Sequence, residues 1–163
     1  MKARRWAPVV FGVAVFAVFV AICAVVVGVV WFRDHLSIEA ASETGAEAAF
    51  EAVRQQYTAR APLLEMHGTS PPRSNPPPLD APRTALSTLH VLAWDAGDGR
   101  LARFEIPFWF LRLKEGPIRF GNYASGLDEL KITLTVAEME RYGPGILMDI
   151  SRTGRDRALL WAD

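Results

Sequence analysis

The chain reads as α+β: one N-terminal transmembrane helix, a juxtamembrane amphipathic helix, and a small antiparallel sheet of two hairpins with one short helix. Three observations point there. Val9 to Phe32 carries no charge; Ala46, Phe50, Val53 and Tyr57 recur at spacings of 4, 3 and 4; and past a proline-rich stretch, β-forming runs flank turn-forming residues. The expected organisation is a cytoplasmic tail over 1–8, the transmembrane helix over 9–32, a helical juxtamembrane segment over 37–66, a proline-rich linker or loop over 67–83, and a small α+β domain over 84–163.

At 1.5 Å per residue, Val9 to Phe32 makes about 36 Å of helix, enough for a hydrocarbon core of about 30 Å. Trp6 and Trp31 bracket it at headgroup depth. A cleavable signal peptide has a shorter apolar region that ends in small residues, and lipoprotein processing at Cys23 conflicts with Ile22 before it and the apolar residues after it. Lys2, Arg4 and Arg5 precede the span while Arg33 alone follows closely, which places the N-terminus in the cytoplasm and the rest outside. Ala14, Ala17, Ala21, Ala24 and Gly28 recur at spacings of 3 and 4. Such a stripe lets helices approach closely and would serve a homodimer or a partner membrane protein; the competing reading is alanine as ordinary filler.

Beyond the span, Ser37 to Arg60 reads as helical, either packed on its own domain or standing as a stalk, with Gly45 and Ser42-Glu43-Thr44 interrupting it or starting its firmer half. Six prolines between His67 and Arg83 are expected to forbid regular helix or sheet pairing and to favour extended polyproline II, as a linker or long surface loop. Leu86 to Trp94 and Leu101 to Ile106 flank the turn Asp95-Ala96-Gly97-Asp98-Gly99, a hairpin that Pro107 closes. Lys131 to Val136 reads as a strand. Thr135 and Glu138 form a capping-box pattern for a helix that Gly143-Pro144 stops near Tyr142. Ile146 to Ile150 and Ala158 to Trp161 make the second hairpin.

Lys plus Arg and Asp plus Glu both number 18, so the basic footprint of a nucleic-acid binder is missing. Cys23 is the one cysteine and lies in the apolar run, leaving neither a disulfide nor a thiolate zinc site downstream. His35, His67 and His90 are scattered, with no spacing that suggests a ligand set or a base beside a nucleophile. Asp95, Asp98 and Gly99 lack the order of a calcium loop, and Gly143-Pro144-Gly145 follows a helix where a phosphate cradle would precede one. No cofactor is expected. Phe108, Trp109, Phe110 and Leu111 form a run of four large apolar residues, either core or, if exposed, a partner site or a patch that enters the nearby bilayer.

The stretches Pro107-Phe108-Trp109-Phe110-Leu111-Arg112, Leu134-Thr135-Val136 and Tyr142-Gly143-Pro144-Gly145-Ile146-Leu147-Met148-Asp149 resemble a group of uncharacterised bacterial proteins with a membrane anchor, a short helix and a β-rich domain. The resemblance spans roughly Phe50 to Trp161. It implies a bacterial cytoplasmic membrane and no particular activity.

The expected function is that of a membrane-tethered, non-enzymatic interaction or accessory protein of the bacterial envelope, acting through the alanine seam and the apolar run. The alternative is an extracytoplasmic hydrolase-like enzyme assembled from Asp95, Asp98, Glu105, Asp128 and Asp149; a membrane sensor comes third.

Overall fold

Ser42 starts the longest described helix. Its hydroxyl accepts from Gly45 N at 3.1 Å, Glu43 stands in the first turn and Arg54 in the last, so cap and charges suit the helix dipole over α1 (Glu43–Gln56). Ala46 and Phe50, one turn apart, are fully buried, and Val53 and Tyr57 pack partly beside them, which is the face the spacing predicts.

The computed structural model describes residues 19–20, 23, 36–114, 116–119, 133–151 and 156–163. Ser37–Asp163 forms one unit, and Met1–Leu36 forms another that is taken by itself. Within that second unit Phe19, Val20 and Cys23 are helical and exposed.

Around α1 lies a seven-stranded sheet. Its strands are β1 (Leu36–Ala40), β2 (Leu64–His67), β3 (Arg73–Ser74), β4 (Thr88–Asp95), β5 (Arg100–Pro107), β8 (Gly145–Ser151) and β9 (Arg157–Ala162), ordered β1-β5-β4-β9-β8-β2-β3. The hairpin of β4 and β5 pairs Thr88 with Pro107 through to Asp95 with Arg100. Asp95 organises its turn: Oδ1 accepts from Gly97 N at 2.8 Å and Asp98 N at 3.1 Å, while Gly99 takes a left-handed φ of 61°. Strands β8 and β9 form the second hairpin, and β9 joins it to β4. A second, two-stranded sheet of β6 (Ile118–Arg119) and β7 (Thr133–Leu134) adds Ile118 and Leu134 to the same core as the short helices α2 (Phe108–Arg112) and α3 (Val136–Tyr142). The capping box of α3 is present in both directions: Thr135 N to Glu138 Oε2 at 2.7 Å and Glu138 N to Thr135 Oγ1 at 3.2 Å. Gly143 follows at a φ of 80°.

The expected architecture is thereby corrected. In place of a small antiparallel sheet of two hairpins stands a mixed seven-stranded sheet, because β2 runs parallel to β8 with Leu64 opposite Met148 and Met66 opposite Ile150. A parallel pair is made between segments far apart in the chain and leaves no hairpin signature. The segment expected to be a single juxtamembrane helix contributes β1, α1 and β2 in turn, and the proline-rich segment, expected to pair in no sheet, supplies the edge strand β3 between Pro72 and Pro76, since an edge position tolerates flanking prolines. No helix among the described residues is long and apolar enough to cross a membrane, so the fold described carries no transmembrane helix. The helix expected over Val9 to Phe32, with the seam of Ala14, Ala17, Ala21, Ala24 and Gly28, lies outside the described residues apart from the three named above.

Each face of the sheet has its own core. Against α1 pack Leu92, Trp94, Leu101, Ile146 and Leu159; on the opposite face, Leu89, Val91, Met148, Ile150, Leu160 and Ala162 meet Phe108, Leu111, Met139 and Tyr142. A bulge between Ile146 and Met148 matters here. Ile146 faces α1, Leu147 and Met148 both join the opposite core, and the alternation is reset so that Asp149 returns to the α1 side.

Candidate interaction surface

Pro107 ends β5 with a φ of −60° and no side-chain cap, and Phe108 N then donates to Ser87 O at 2.9 Å, turning the chain into α2. At about 100° per residue, Phe108 and Leu111 share the inner side of this turn, while Trp109 and Phe110 leave it on the outer side. Leu113 keeps helical dihedrals (φ −70°, ψ −20°), and its amide donates to Phe110 O at 3.2 Å. One turn beyond Trp109, it projects with the outer pair. Phe108 and Leu111 are buried, whereas Trp109, Phe110 and Leu113 are 62%, 58% and 71% exposed. That division follows the helical period.

The helix that carries the outer side chains is anchored to the core. The rings of Trp109 and Phe110 meet edge to face at 5.9 Å and 87°. Arg112 donates to Glu140 Oε1 of α3 from Nε at 2.9 Å and from Nη2 at 2.7 Å, reaches Leu86 O at 3.3 Å, and lies over the Phe108 ring at 5.9 Å. Anchored by two buried side chains and a two-pronged ion pair, α2 presents a fixed apolar tip. Of the run that the sequence singles out, Phe108 and Leu111 thus belong to the core, and Trp109 and Phe110 to the surface. Leu113 completes the tip. Its signal in the sequence is its spacing of four from Trp109.

The polar chemistry of the sheet lies elsewhere. On the α1 face, Arg54 makes two parallel bonds to Asp149, Nε to Oδ2 at 2.8 Å and Nη2 to Oδ1 at 2.9 Å, with the carboxylate almost wholly buried. The bond to Asp149 raises the Arg54 pKa, and burial opposes it only in part. Arg157 pairs with Glu43 and Glu47 of α1 and covers the Trp94 ring at 5.3 Å. At the other end of this face His90 stacks on Trp161, ring centres 5.1 Å apart. Its Nδ1 is 3.3 Å from Glu105 Oε1, and its Nε2 is 3.2 Å from Asp163 Oδ2. Ser87 Oγ donates to Asp163 Oδ1 at 2.8 Å. Burial pushes the Asp163 carboxyl up, but the bonds from Ser87, His90 and the Thr88 backbone, with the His90 charge, outweigh it and hold the carboxyl below its ordinary range.

Serine, histidine and aspartate are close here, but in an order unlike that of a hydrolase. Ser87 bonds the carboxylate, and both imidazole nitrogens face carboxylates, so no basic nitrogen reaches the hydroxyl. His67 Nδ1 lies 2.9 Å from Ser151 Oγ at the opposite edge of the sheet. The described acids of the enzyme alternative do not converge. Asp95 holds its own turn, Asp98 is exposed in it, Glu105 faces His90 on β5, and Asp149 pairs with Arg54 on β8. With β4 and β9 between them, β5 and β8 are separated by about 14 Å. Asp128 lies outside the described residues. Among the described residues no group of three or more His, Cys, Asp or Glu side chains is arranged to hold a metal ion.

Comparison with protein-family models, with curated proteins and with solved structures finds no match, so the geometry above is what bears on function.

Proposed function

We propose that this protein is a membrane-tethered, non-enzymatic interaction or accessory domain whose contact surface is the apolar tip of Trp109, Phe110 and Leu113. The single observation that carries the reading is the exposure of these side chains on a helix whose other side is buried and ion-paired. Three large apolar side chains face solvent on a turn that Phe108, Leu111 and the Arg112–Glu140 pair hold against the core. A tip pre-organised in this way loses little side-chain freedom on contact. Tethering is read from the uncharged segment Val9 to Phe32, and the basic residues Lys2, Arg4 and Arg5 before it set the N-terminus in the cytoplasm and the sheet domain outside.

The test is accessibility of the tip in the native membrane. In a Cys23→Ser background, Leu113→Cys is labelled with a membrane-impermeant maleimide, with Asp98→Cys in the exposed β4–β5 turn as reference. Relative to that reference, position 113 reacts several-fold more slowly in isolated membranes than after detergent extraction, because something covers it only in the membrane. Equal relative rates in both would remove the contact surface, and with it this reading.

A further inference from the structure

We infer that the occupant of the tip is the bilayer surface itself, with anionic lipid headgroups meeting the basic residues that follow Trp109, Phe110 and Leu113 in the sequence. The inference rests on the tethered reading above and names what that surface touches. Three side chains are far fewer than the 20–30 residues a side of a standard protein interface, whereas an apolar tip of this size suits insertion to the depth of the headgroups and first methylenes. Tryptophan is the side chain best matched to that layer, since its indole buries an apolar body and keeps a donor for water or headgroup oxygens.

Charge agrees with an anionic surface. Between Phe108 and Arg119 the sequence holds Arg112, Lys114 and Arg119 against the single acid Glu115. Arg112 is engaged by Glu140, while Lys114 and Arg119 are exposed and form no ion pair among the described residues. Among the described residues they are the exposed cations of this stretch available to headgroups. Proximity agrees as well. Four residues separate Phe32, the last of the apolar segment, from Ser37, the first of the folded unit, five steps of chain that span at most about 18 Å. A domain tethered that closely meets the bilayer at high effective concentration, so even a small tip finds it.

The experiment uses the purified full chain, Cys23→Ser with Leu113→Cys or Asp98→Cys, carrying a nitroxide label. It is reconstituted into vesicles of phosphatidylcholine alone and of phosphatidylcholine with phosphatidylglycerol. Power saturation compares collisions with oxygen, which concentrates in the bilayer, and with a water-soluble nickel chelate. In the mixed vesicles the label at 113 meets the nickel chelate about threefold less, and oxygen more, than the label at 98. Lys114→Ala with Arg119→Ala, or high salt, reduces that protection. Equal nickel accessibility at the two positions in mixed vesicles overturns the inference. Protection from nickel and oxygen together, growing with the protein-to-lipid ratio, also overturns it by assigning the tip to a second copy. Protection found in native membranes but missing from pure lipid overturns it in favour of a protein partner, and leaves the proposed function standing.

Discussion

Arg54→Met removes the guanidinium that lies 2.8 and 2.9 Å from Asp149 while keeping the apolar stem and a good helix former on α1. It leaves a carboxylate that is only 4% exposed on a central strand without its partner. Breaking a buried pair from one side costs about 3–5 kcal/mol. Because the Arg54 side chain keeps 22% of its surface in water, solvent reaches the vacated site and the lower figure applies, about 3 kcal/mol. At about 4 °C per kcal/mol for a unit of this size, the melting temperature of the full chain in detergent falls by about 12 °C. Adding Asp149→Leu to the same chain replaces the orphaned charge with an apolar group and restores stability to within about 1 kcal/mol of the parent. Thermal unfolding followed by circular dichroism measures both. A single variant that melts within about 3 °C of the parent, or a double variant no better than the single, refutes the assignment of Asp149 as a charge held by α1.

Other outcomes follow from the same contacts. Leu111→Ala costs about 2–5 kcal/mol, since the side chain is buried in the core on the face opposite α1, whereas Trp109→Ala two residues earlier stays within about 0.5 kcal/mol; denaturant titration of both separates the inner side of α2 from the outer. Thr135→Ala removes the hydroxyl that caps α3 and costs about 1 kcal/mol in the same assay. The Asp163 carboxyl is held below its ordinary range when folded, so its contribution is present above the unfolded pKa and disappears as pH falls through the lower folded value. Asp163→Asn therefore flattens the loss of stability on the acid side of the usual carboxylate range, and a pH series of melting curves that keeps the parent slope there contradicts it.

What was legible in the sequence is what local chemistry writes. The β4–β5 hairpin could be read because strand-forming runs flank Asp95 and two glycines, and α3 because Thr135 and Glu138 are three apart before an apolar pair. Strand β2 was hidden. Its four residues follow directly on a helical period, and its partner β8 lies some eighty residues away, so no neighbouring segment reports the pairing. The two-residue β3 is likewise hidden by the prolines on either side of it, Pro72 and Pro76. The side of the sheet that Asp149 faces depends on the bulge after Ile146, which is a matter of pairing with β9 and has no marker in Ile146-Leu147-Met148. His90 reads as an ordinary strand residue because Glu105 and Asp163 reach it only once β4 and β5 pair and β9 runs out beside them.

The surface was legible in part. Four consecutive large apolar residues stood out at Phe108 to Leu111, but whether they are inside or outside depends on the phase of a short helix, set by Pro107 and by the burial of Phe108. With that phase known, Leu113 joins Trp109 and Phe110, while Phe108 and Leu111 leave the candidate set for the core.

The central claim is that this tip is covered when the protein is in its membrane. It is tested most directly by the labelling rate of Leu113→Cys in isolated membranes, set against the same protein in detergent and against Asp98→Cys in both. The proposed function predicts a several-fold slower reaction at 113 in membranes alone; the same ratio in membranes and in detergent contradicts it.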